Sequence, residues 1–228
     1  MEEVETPLNF DEIPINVVDG DLSSDTYRLI SSALYADVVG VDIETSGLDY
    51  IHDRIATVQV YSPACGVEII RVREGFTPNN LVALLEGTAI RKIFHYGMFD
   101  LSFLAQKYGV YARNLDDTRI AATIVDPYKS KYYNPARGKN DHGLAALVWT
   151  YYHDRLDKEL AVSDWFGNLT PAQLSYASKD VIYLPYVLSK VMREMTPVQR
   201  RTYHAACMWL PGKVYQKVNN LPDPFERY

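Results

Sequence analysis

A short acidic stretch places the strongest constraint on how this chain folds. VVGVDIETSGLD, residues 38–49, begins as the apolar run of a buried β-strand but carries Asp42 and Glu44 two residues apart. Side chains at i and i+2 on a strand share a face, so both carboxylates lie opposite Val41 and Ile43. Burying two like charges side by side is costly. The stretch therefore predicts either an edge strand with one solvated face or a rigid support for a divalent cation such as Mg²⁺ or Mn²⁺.

Two distant segments favour the cation site over the solvated edge strand. In HYGMFDLSFL, an apolar strand ends at His95, and the helix that follows has Asp100 in its first turn, where the helix dipole favours a negative charge. In YASKD, Tyr176 and Asp180 are four residues apart and share one face of a helix. Alone, the first segment also fits simple charge compensation at a helix N-terminus, and the second also fits an ordinary surface Asp on an amphipathic helix. Together they indicate one site built from acidic side chains and a tyrosine.

The order of the predicted elements indicates an α/β domain. A strand at Ile15–Val18 and a helix over 25–36 precede three strands with short turns, which predict an antiparallel meander. Alternating helices and strands then follow. The three strands of the meander cover 38–44, 54–62 and 66–72, and a further strand covers 90–96. The remaining predicted helices cover 79–87, 99–109, 115–125, 143–152, 171–192 and 198–209. Pro185 is expected to kink the helix over 171–192 or to end its first segment.

Composition excludes several classes of protein. No run of about 18 apolar residues predicts a membrane span, and the acidic N-terminal residues lack the features of a signal peptide. Cys65 and Cys207 form neither a disulfide framework nor a zinc motif, which predicts reduced thiols and a cytoplasmic protein. The net charge of −6 argues against wide polyanion binding. The basic, aromatic stretch 128–139 is either a phosphate- and base-binding loop, through Lys129, Lys131, Arg137 and Lys139, or a solvated loop.

The three acidic segments resemble the motifs of a known nuclease family. D-x-E-T-x-x-L, H-x-x-x-F-D and Y-x-x-x-D, in this order, resemble the tyrosine-bearing subtype of the DEDD 3′–5′ exonucleases. The resemblance covers about residues 38–190 and is closest to the ribonuclease D and nanoRNase C branch, to which KIFHYGMFDLSFL, DTRIAA and HGLAAL are similar. It implies a ribonuclease H-like fold: a mixed sheet, with an antiparallel meander and further parallel strands, flanked by helices.

The resemblance also implies a division of the chain and a role for each motif residue. A leader over 1–24, an exonuclease domain over 25–196 and a C-terminal helix and tail over 197–228, packed on the domain or on a partner subunit, are expected. Tyr176 would orient the attacking water. The acids expected to hold two divalent cations, Mg²⁺ or Mn²⁺, are Asp42, Glu44, Asp100 and Asp180. The expected substrate contacts are Thr45, Leu48, His95, Phe99 and His142, and the expected supporting residue behind the site is Asp117, in preference to Asp116.

The implied activity is hydrolysis of phosphodiester bonds from a nucleic-acid 3′ end, which releases nucleoside 5′-monophosphates. The acidic net charge favours short RNA, while a DNA or dual-specificity exonuclease and a catalytically weak nucleic-acid-binding module are the alternatives. The branch also implies a closed homo-oligomer. An HD phosphohydrolase is a rival on local motifs alone, through the neighbours His52–Asp53, Asp141–His142 and His153–Asp154. That fold is all helical, and the predicted strands over 38–72 argue against it.

Overall fold

A computed structural model of the protein describes residues 10–32, 38–156, 160 and 163–223. The N-terminal part of the predicted leader, the end of the predicted helix over 25–36 and the last five residues lie outside these ranges. No helix within the described ranges is both long and apolar enough to span a bilayer.

A six-stranded mixed sheet forms the centre of the fold, as predicted. The second, third and fourth strands along the chain pair antiparallel with one another, whereas the fifth runs parallel to the second, the sixth parallel to the fifth and the first parallel to the fourth. In spatial order the strands are β1 (Ile15–Asp19), β4 (Gly66–Arg71), β3 (Ile55–Ser62), β2 (Val38–Thr45), β5 (Arg91–Phe94) and β6 (Leu115–Asp117). A separate two-stranded hairpin lies in the basic stretch and consists of β7 (Tyr133–Asn134) and β8 (Lys139–Asn140).

Helices cover both faces of the sheet. They are α1 (Ser24–Ser32), α2 (Asn79–Glu86), α3 (Met98–Tyr108), α4 (Thr118–Val125), α5 (Leu144–Tyr152), α6 (Pro171–Glu194) and α7 (Pro197–Val218). Ile69 packs into an apolar cluster with α5 and α6, and its neighbour Ile70 packs into a second cluster with α2 and α3. This alternation along β4 is the one expected of a strand that is buried on both faces.

Two predicted helix bounds are wrong. Residues 115–117 form strand β6 instead of the start of a helix, because they pair with β5 and fill the edge of the sheet. The C-terminal helix runs to Val218 rather than residue 209 and continues through Pro211. Pro185 does not end α6, which is continuous from Pro171 to Glu194. Packing against the rest of the fold stabilises these helices beyond what local propensity allows.

Pro185 lies where α6 crosses strand β2. Proline has no N–H, so the Val181 carbonyl, four residues earlier, cannot accept its usual helical hydrogen bond from residue 185. Gly40 of β2 lies against this carbonyl, since a Cβ on Gly40 would be 2.3 Å from the Val181 oxygen. The glycine therefore lets the helix backbone approach the strand closely, one residue after Asp180 and two residues before Asp42.

Candidate active site

Strand β2 holds Asp42 and Glu44 in the interior of the sheet. It lies between β3 and β5, which rules out the edge strand. Asp42 is half-buried and Glu44 is buried, and they are opposite Gln59 and Thr57 of β3. On the other side β5 pairs with β2 only as far as Gly40, so β2 extends beyond its parallel neighbour. This arrangement opens the end of β2 to the helix that follows β5.

Helix α3 places Asp100 at that opening. The carboxylate is 3% exposed and accepts a hydrogen bond from the backbone N–H of Ile43 in β2. Burial raises the pKa of Asp100 well above its ordinary value, and the charge of Asp42 raises it further. Its Oδ1 atom is buried and accepts no hydrogen bond from any residue that the structure describes. A buried carboxylate oxygen of this kind is suited to a cation.

Helix α6 brings Tyr176 and Asp180 to the same place. The helix begins with a capping box, in which the side chains of Thr170 and Gln173 each accept a hydrogen bond from the other residue's backbone N–H. The Tyr176 hydroxyl is hydrogen-bonded to Asp180. The pKa of Tyr176 is raised above its ordinary value by burial and then by the charges of Asp180, Glu44 and Asp42. The phenol is therefore protonated at neutral pH, and it lies among the carboxylates contributed by two elements.

The donor set of this site fits a hard divalent cation. Within the described ranges, no three or more His, Cys, Asp and Glu side chains are already gathered into a coordination sphere. The carboxylates nevertheless act on one another, because Asp42 raises the pKa of Asp100 and contributes to that of Tyr176. A cation would offset this repulsion and supply a partner for Asp100 Oδ1. Hard carboxylate oxygens are the ligands that Mg²⁺ and Mn²⁺ prefer.

A tight turn after β2 presents Leu48 to solvent. Leu48 is 85% exposed, so it does not pack in the core. The Thr45 hydroxyl donates to the Gly47 carbonyl at 2.6 Å, so its side chain holds the turn. A Cβ on Gly47 would lie 2.3 Å from Asp53 Oδ2, and the Asp53 carboxylate accepts hydrogen bonds from Ser46 Oγ and the Asp49 N–H. Contacts of Thr45 and Leu48 with a substrate stay predictions.

Asp117 supports the opposite wall of the site. It is 1% exposed and caps α4 by accepting hydrogen bonds from the backbone N–H groups of Arg119 and Ile120. It also accepts from Gly97 N–H at 2.7 Å, in the turn before α3. Asp116 points elsewhere, towards Arg91 and Tyr203. Asp117 thus joins the start of α4 to the turn before α3, and its role as the supporting residue stays a prediction.

The remaining predicted substrate contacts lie on the framework around the site. His95 Nδ1 is 2.8 Å from Thr118 Oγ1, and the half-buried Phe99 packs on Phe103 with ring centroids 4.9 Å apart. His142 is buried, with Nε2 2.7 Å from the Asp126 carbonyl and Nδ1 3.2 Å from Thr123 Oγ1. Both ring nitrogens of His142 thus engage protein atoms and hold the basic stretch in place.

A basic cavity of about 580 Å³ adjoins His142. Its cationic lining residues are Arg119, Lys129, Arg137 and Lys139. Lys131, which was expected to belong to this set, pairs instead with Glu194 of α6. Arg119 was not predicted, although it follows the DT pair directly, and its guanidinium lies 4.2 Å from the centroid of the Tyr96 ring. The cavity is a candidate site for a phosphate.

The structure also separates the His/Asp neighbours of the HD phosphohydrolase alternative. His52 Nδ1 is 2.7 Å from Asp49 on an exposed turn, His142 bonds Asp126, and Asp154 bonds Lys179 and Tyr183 of α6. Each pair is thus engaged locally with different partners, and no shared His/Asp centre forms among the described residues.

Comparisons with known proteins agree with this geometry. The family model described as a 3′-5′ exonuclease matches residues 21–196. Ribonuclease D of Escherichia coli is 32% identical over 133 residues, which are 58% of this chain and 30% of that protein. The chain spans less than half the length of curated relatives of this kind.

Two solved structures extend the similarity over nearly the whole chain. The Brucella melitensis protein NrnC with bound Mg²⁺ has a TM-score of 0.78 and 26% identity, covering 94% of this chain and 99% of that one. NrnC bound to pGG has a TM-score of 0.79 and 26% identity, covering 95% of this chain and 100% of that one.

Proposed function

Since this chain belongs to the 3′–5′ exonuclease family, in its ribonuclease D and NrnC branch, we propose that it hydrolyses short RNA from the 3′ end and releases nucleoside 5′-monophosphates. One observation carries the proposal. Strand β2, helix α3 and helix α6 bring Asp42, Asp100 and the Tyr176–Asp180 pair close enough for the acids to raise the pKa values of Asp100 and Tyr176. Three elements far apart in sequence thus build one acidic site.

The family generally uses divalent metal ions. We propose that two such ions, Mg²⁺ or Mn²⁺, bind to Asp42, Glu44, Asp100 and Asp180. When bound, two ions of this kind stabilise negative charge on the attacking and leaving oxygens of a displacement at phosphorus. The contribution of β2 is stiffness, because a paired strand keeps the carboxylates at a fixed separation. Burial of Asp100 and Tyr176 excludes water and strengthens every charge interaction at the site.

Tyr176 orients rather than deprotonates the attacking water. Its raised pKa keeps the hydroxyl protonated, and the proton is directed to Asp180. The phenolic oxygen then has lone pairs that accept a hydrogen bond from water. The tyrosine ring is fixed by Trp165, at 6.0 Å between centroids.

Replacing Tyr176 with Phe is expected to lower kcat about 100-fold, because the water loses its orienting partner while the acids remain. The increase in melting temperature on addition of Mn²⁺ should persist in this variant. Tyr186→Phe is the matched control, since it removes a hydroxyl from the same helix, where the Tyr186 oxygen contacts Tyr61 at 3.2 Å. A Tyr176→Phe enzyme as fast as Tyr186→Phe would contradict the assigned role.

Short RNA is favoured as the substrate by charge and by the shape of the site. The net charge of −6 disfavours a long polyanion. The basic cavity beside His142 supplies cations for the phosphates of a small substrate. Leu48, on the turn after Glu44, is exposed and would contact a terminal base. NrnC of Brucella melitensis has been solved bound to pGG.

Turnover of RNAs of about 2, 7 and 20 nucleotides, and of DNA of the same lengths, tests the proposal with Mn²⁺ as the cation. Mononucleotides should be released fastest from the two shorter RNAs. Faster turnover of the longest RNA would refute the length preference, and equal turnover of DNA would refute the RNA preference. Binding without any release, in the presence of Mn²⁺, would instead support a nucleic-acid-binding module. Asp100→Asn is the inactive control.

A further inference from the structure

We propose that Tyr203 of helix α7 is a positioning residue that holds Asp100 in place for cation binding. The inference rests on the proposed function, in which Asp100 is a metal ligand. Tyr203 belongs to the C-terminal helix, outside the segment 21–196 that matches the exonuclease family. The helix packs along α3, α4 and β6, so it contacts the helix that carries Asp100 and the two elements that follow it in the chain.

The first step of the link is a buried hydrogen-bond pair between Tyr203 and β6. Tyr203 is 0% exposed. Its hydroxyl donates to Asp116 Oδ1 at 2.7 Å and accepts from the backbone N–H of Asp117 at 3.1 Å. The other carboxylate oxygen of Asp116, Oδ2, forms an ion pair with Arg91, whose Nε lies 3.3 Å away. A bond from a hydroxyl to a buried carboxylate is among the stronger hydrogen bonds in proteins, so this contact fixes the end of β6.

The second step joins β6 to the turn before α3. The Asp117 carboxylate accepts from Gly97 N–H at 2.7 Å and from Tyr96 N–H at 3.3 Å. Gly97 is the N-cap residue of α3, and its carbonyl accepts from Leu101 N–H at 2.9 Å. Asp100 lies within this first turn. The position of its carboxylate thus follows the position of Asp117.

The turn needs such a restraint because its backbone is strained. Tyr96 has a φ of 63°, in the left-handed region that bulky side chains avoid. A Cβ on Gly97 would lie 2.8 Å from the Phe94 Cβ, so the turn also packs tightly on the end of β5. A strained turn keeps its conformation only while contacts with the surrounding residues hold it there. Loss of the Tyr203 hydroxyl would leave Asp117 N–H and Asp116 Oδ1 each short of one buried partner and free β6 to shift.

Tyr203→Phe tests the link, with Tyr215→Phe as the matched control on the same helix. Tyr215 is 49% exposed, and its hydroxyl makes no hydrogen bond with the described part of the chain. In Tyr203→Phe, the Mn²⁺ concentration that gives half-saturation, measured by calorimetry, should rise about tenfold, as expected when a residue supporting a metal ligand is lost. The KM for RNA should be unchanged, and the Gly97 and Leu101 amides should exchange with deuterium faster. Tyr215→Phe should match the wild type in all three measurements.

A residue with only a structural role would give a different result. A lower melting temperature with unchanged Mn²⁺ half-saturation and unchanged Gly97 exchange would overturn the proposal. If Tyr203→Phe does not fold, Asp116→Asn weakens the same hydrogen bond and should shift both readouts in the same direction by a smaller factor. If the wild type itself neither binds Mn²⁺ nor degrades RNA, the proposed function fails, while Gly97 exchange still reports whether Tyr203 holds the turn.

Discussion

Asp42→Asn is expected to lower the rate of mononucleotide release about 1000-fold, an effect typical of removing a charge that stabilises the transition state. Among the residues that the structure describes, Asp42 is the acid whose charge raises the pKa values of both Asp100 on α3 and Tyr176 on α6. It therefore lies between the α3 side and the α6 side of the site, and in the proposed function it would hold the divalent cations there. Release of nucleoside 5′-monophosphates from a short RNA measures the loss.

The same substitution should stabilise the metal-free protein. The negative charge of Asp42 disfavours ionisation of buried Asp100, so a neutral Asn removes a repulsive interaction from the folded state. We expect a gain of about 1 kcal/mol in the free energy of unfolding, or about 2–4 °C in Tm for a chain of this size. A thermal scan in EDTA measures it. In wild type, added Mg²⁺ should raise Tm, and in Asp42→Asn this increase should be largely lost.

Asp25→Asn is the control for Asp42→Asn, because Asp25 is an exposed acid on α1 that pairs with Arg28 at the surface. It should leave both turnover and the Mg²⁺-dependent increase in Tm at the level of the wild type. Wild-type turnover by Asp42→Asn would refute the assignment of the acidic site. A lower Tm of Asp42→Asn in EDTA would show that the carboxylate stabilises the metal-free fold.

Gly40→Ala should produce the largest loss of stability among the substitutions considered. The new Cβ would lie 2.3 Å from the Val181 carbonyl oxygen, which is a backbone atom in a packed helix and cannot rotate away. Helix α6 would have to move off the sheet. We expect a loss of about 3 kcal/mol in the free energy of unfolding, the upper range for overpacking. This corresponds to a decrease of about 6–12 °C in Tm, measured by differential scanning calorimetry.

Activity should fall together with stability in Gly40→Ala, even below its melting temperature. Tyr176 and Asp180 lie on α6 on the N-terminal side of the Gly40 contact, so displacement of the helix separates them from Asp42 and Glu44. Misplacement of catalytic groups by about 1 Å is sufficient for a 100-fold loss of rate. Gly212→Ala is the matched control, because a Cβ there meets nothing within 4 Å. It should keep full activity and gain up to about 1 kcal/mol from the helix preference of Ala. Wild-type stability of Gly40→Ala would show that the strand and helix can separate at little cost.

Sequence patterns predicted most elements because their causes are local. The alternation along residues 38–44, the capping box at Thr170 and the glycine after α3 each depend on neighbouring residues alone. The patterns failed where distant contacts decided the outcome. Residues 115–117 became a strand because β5 offered a pairing partner, and α7 continued through Pro211 because it packs on α3 and α4.

The candidate site divides in the same way, into residues that local spacing indicated and residues that depend on contacts between distant segments. Spacing within each motif indicated the four acids and Tyr176, since a face of a strand or helix can be read from the order of residues. Arg119 and Tyr203 were missed. Neither lies in a spacing pattern with the acids, and each matters through a contact made only in the folded chain: Arg119 with the Tyr96 ring and Tyr203 with Asp116. Lys131 was grouped with the basic stretch, but its ion pair with Glu194 depends on the position of α6.

By itself, the sequence determined the candidate side chains of the site and which face of its own element each one occupies. Only the tertiary structure decided that Asp42 lies on an interior strand, that Asp100 is buried against it, and that the Tyr176 phenol stays protonated among the acids. The physical reason is that periodicity is a property of one segment. Burial and charge interaction depend on distances between segments, and these are set by close approaches such as that of Gly40 to Val181.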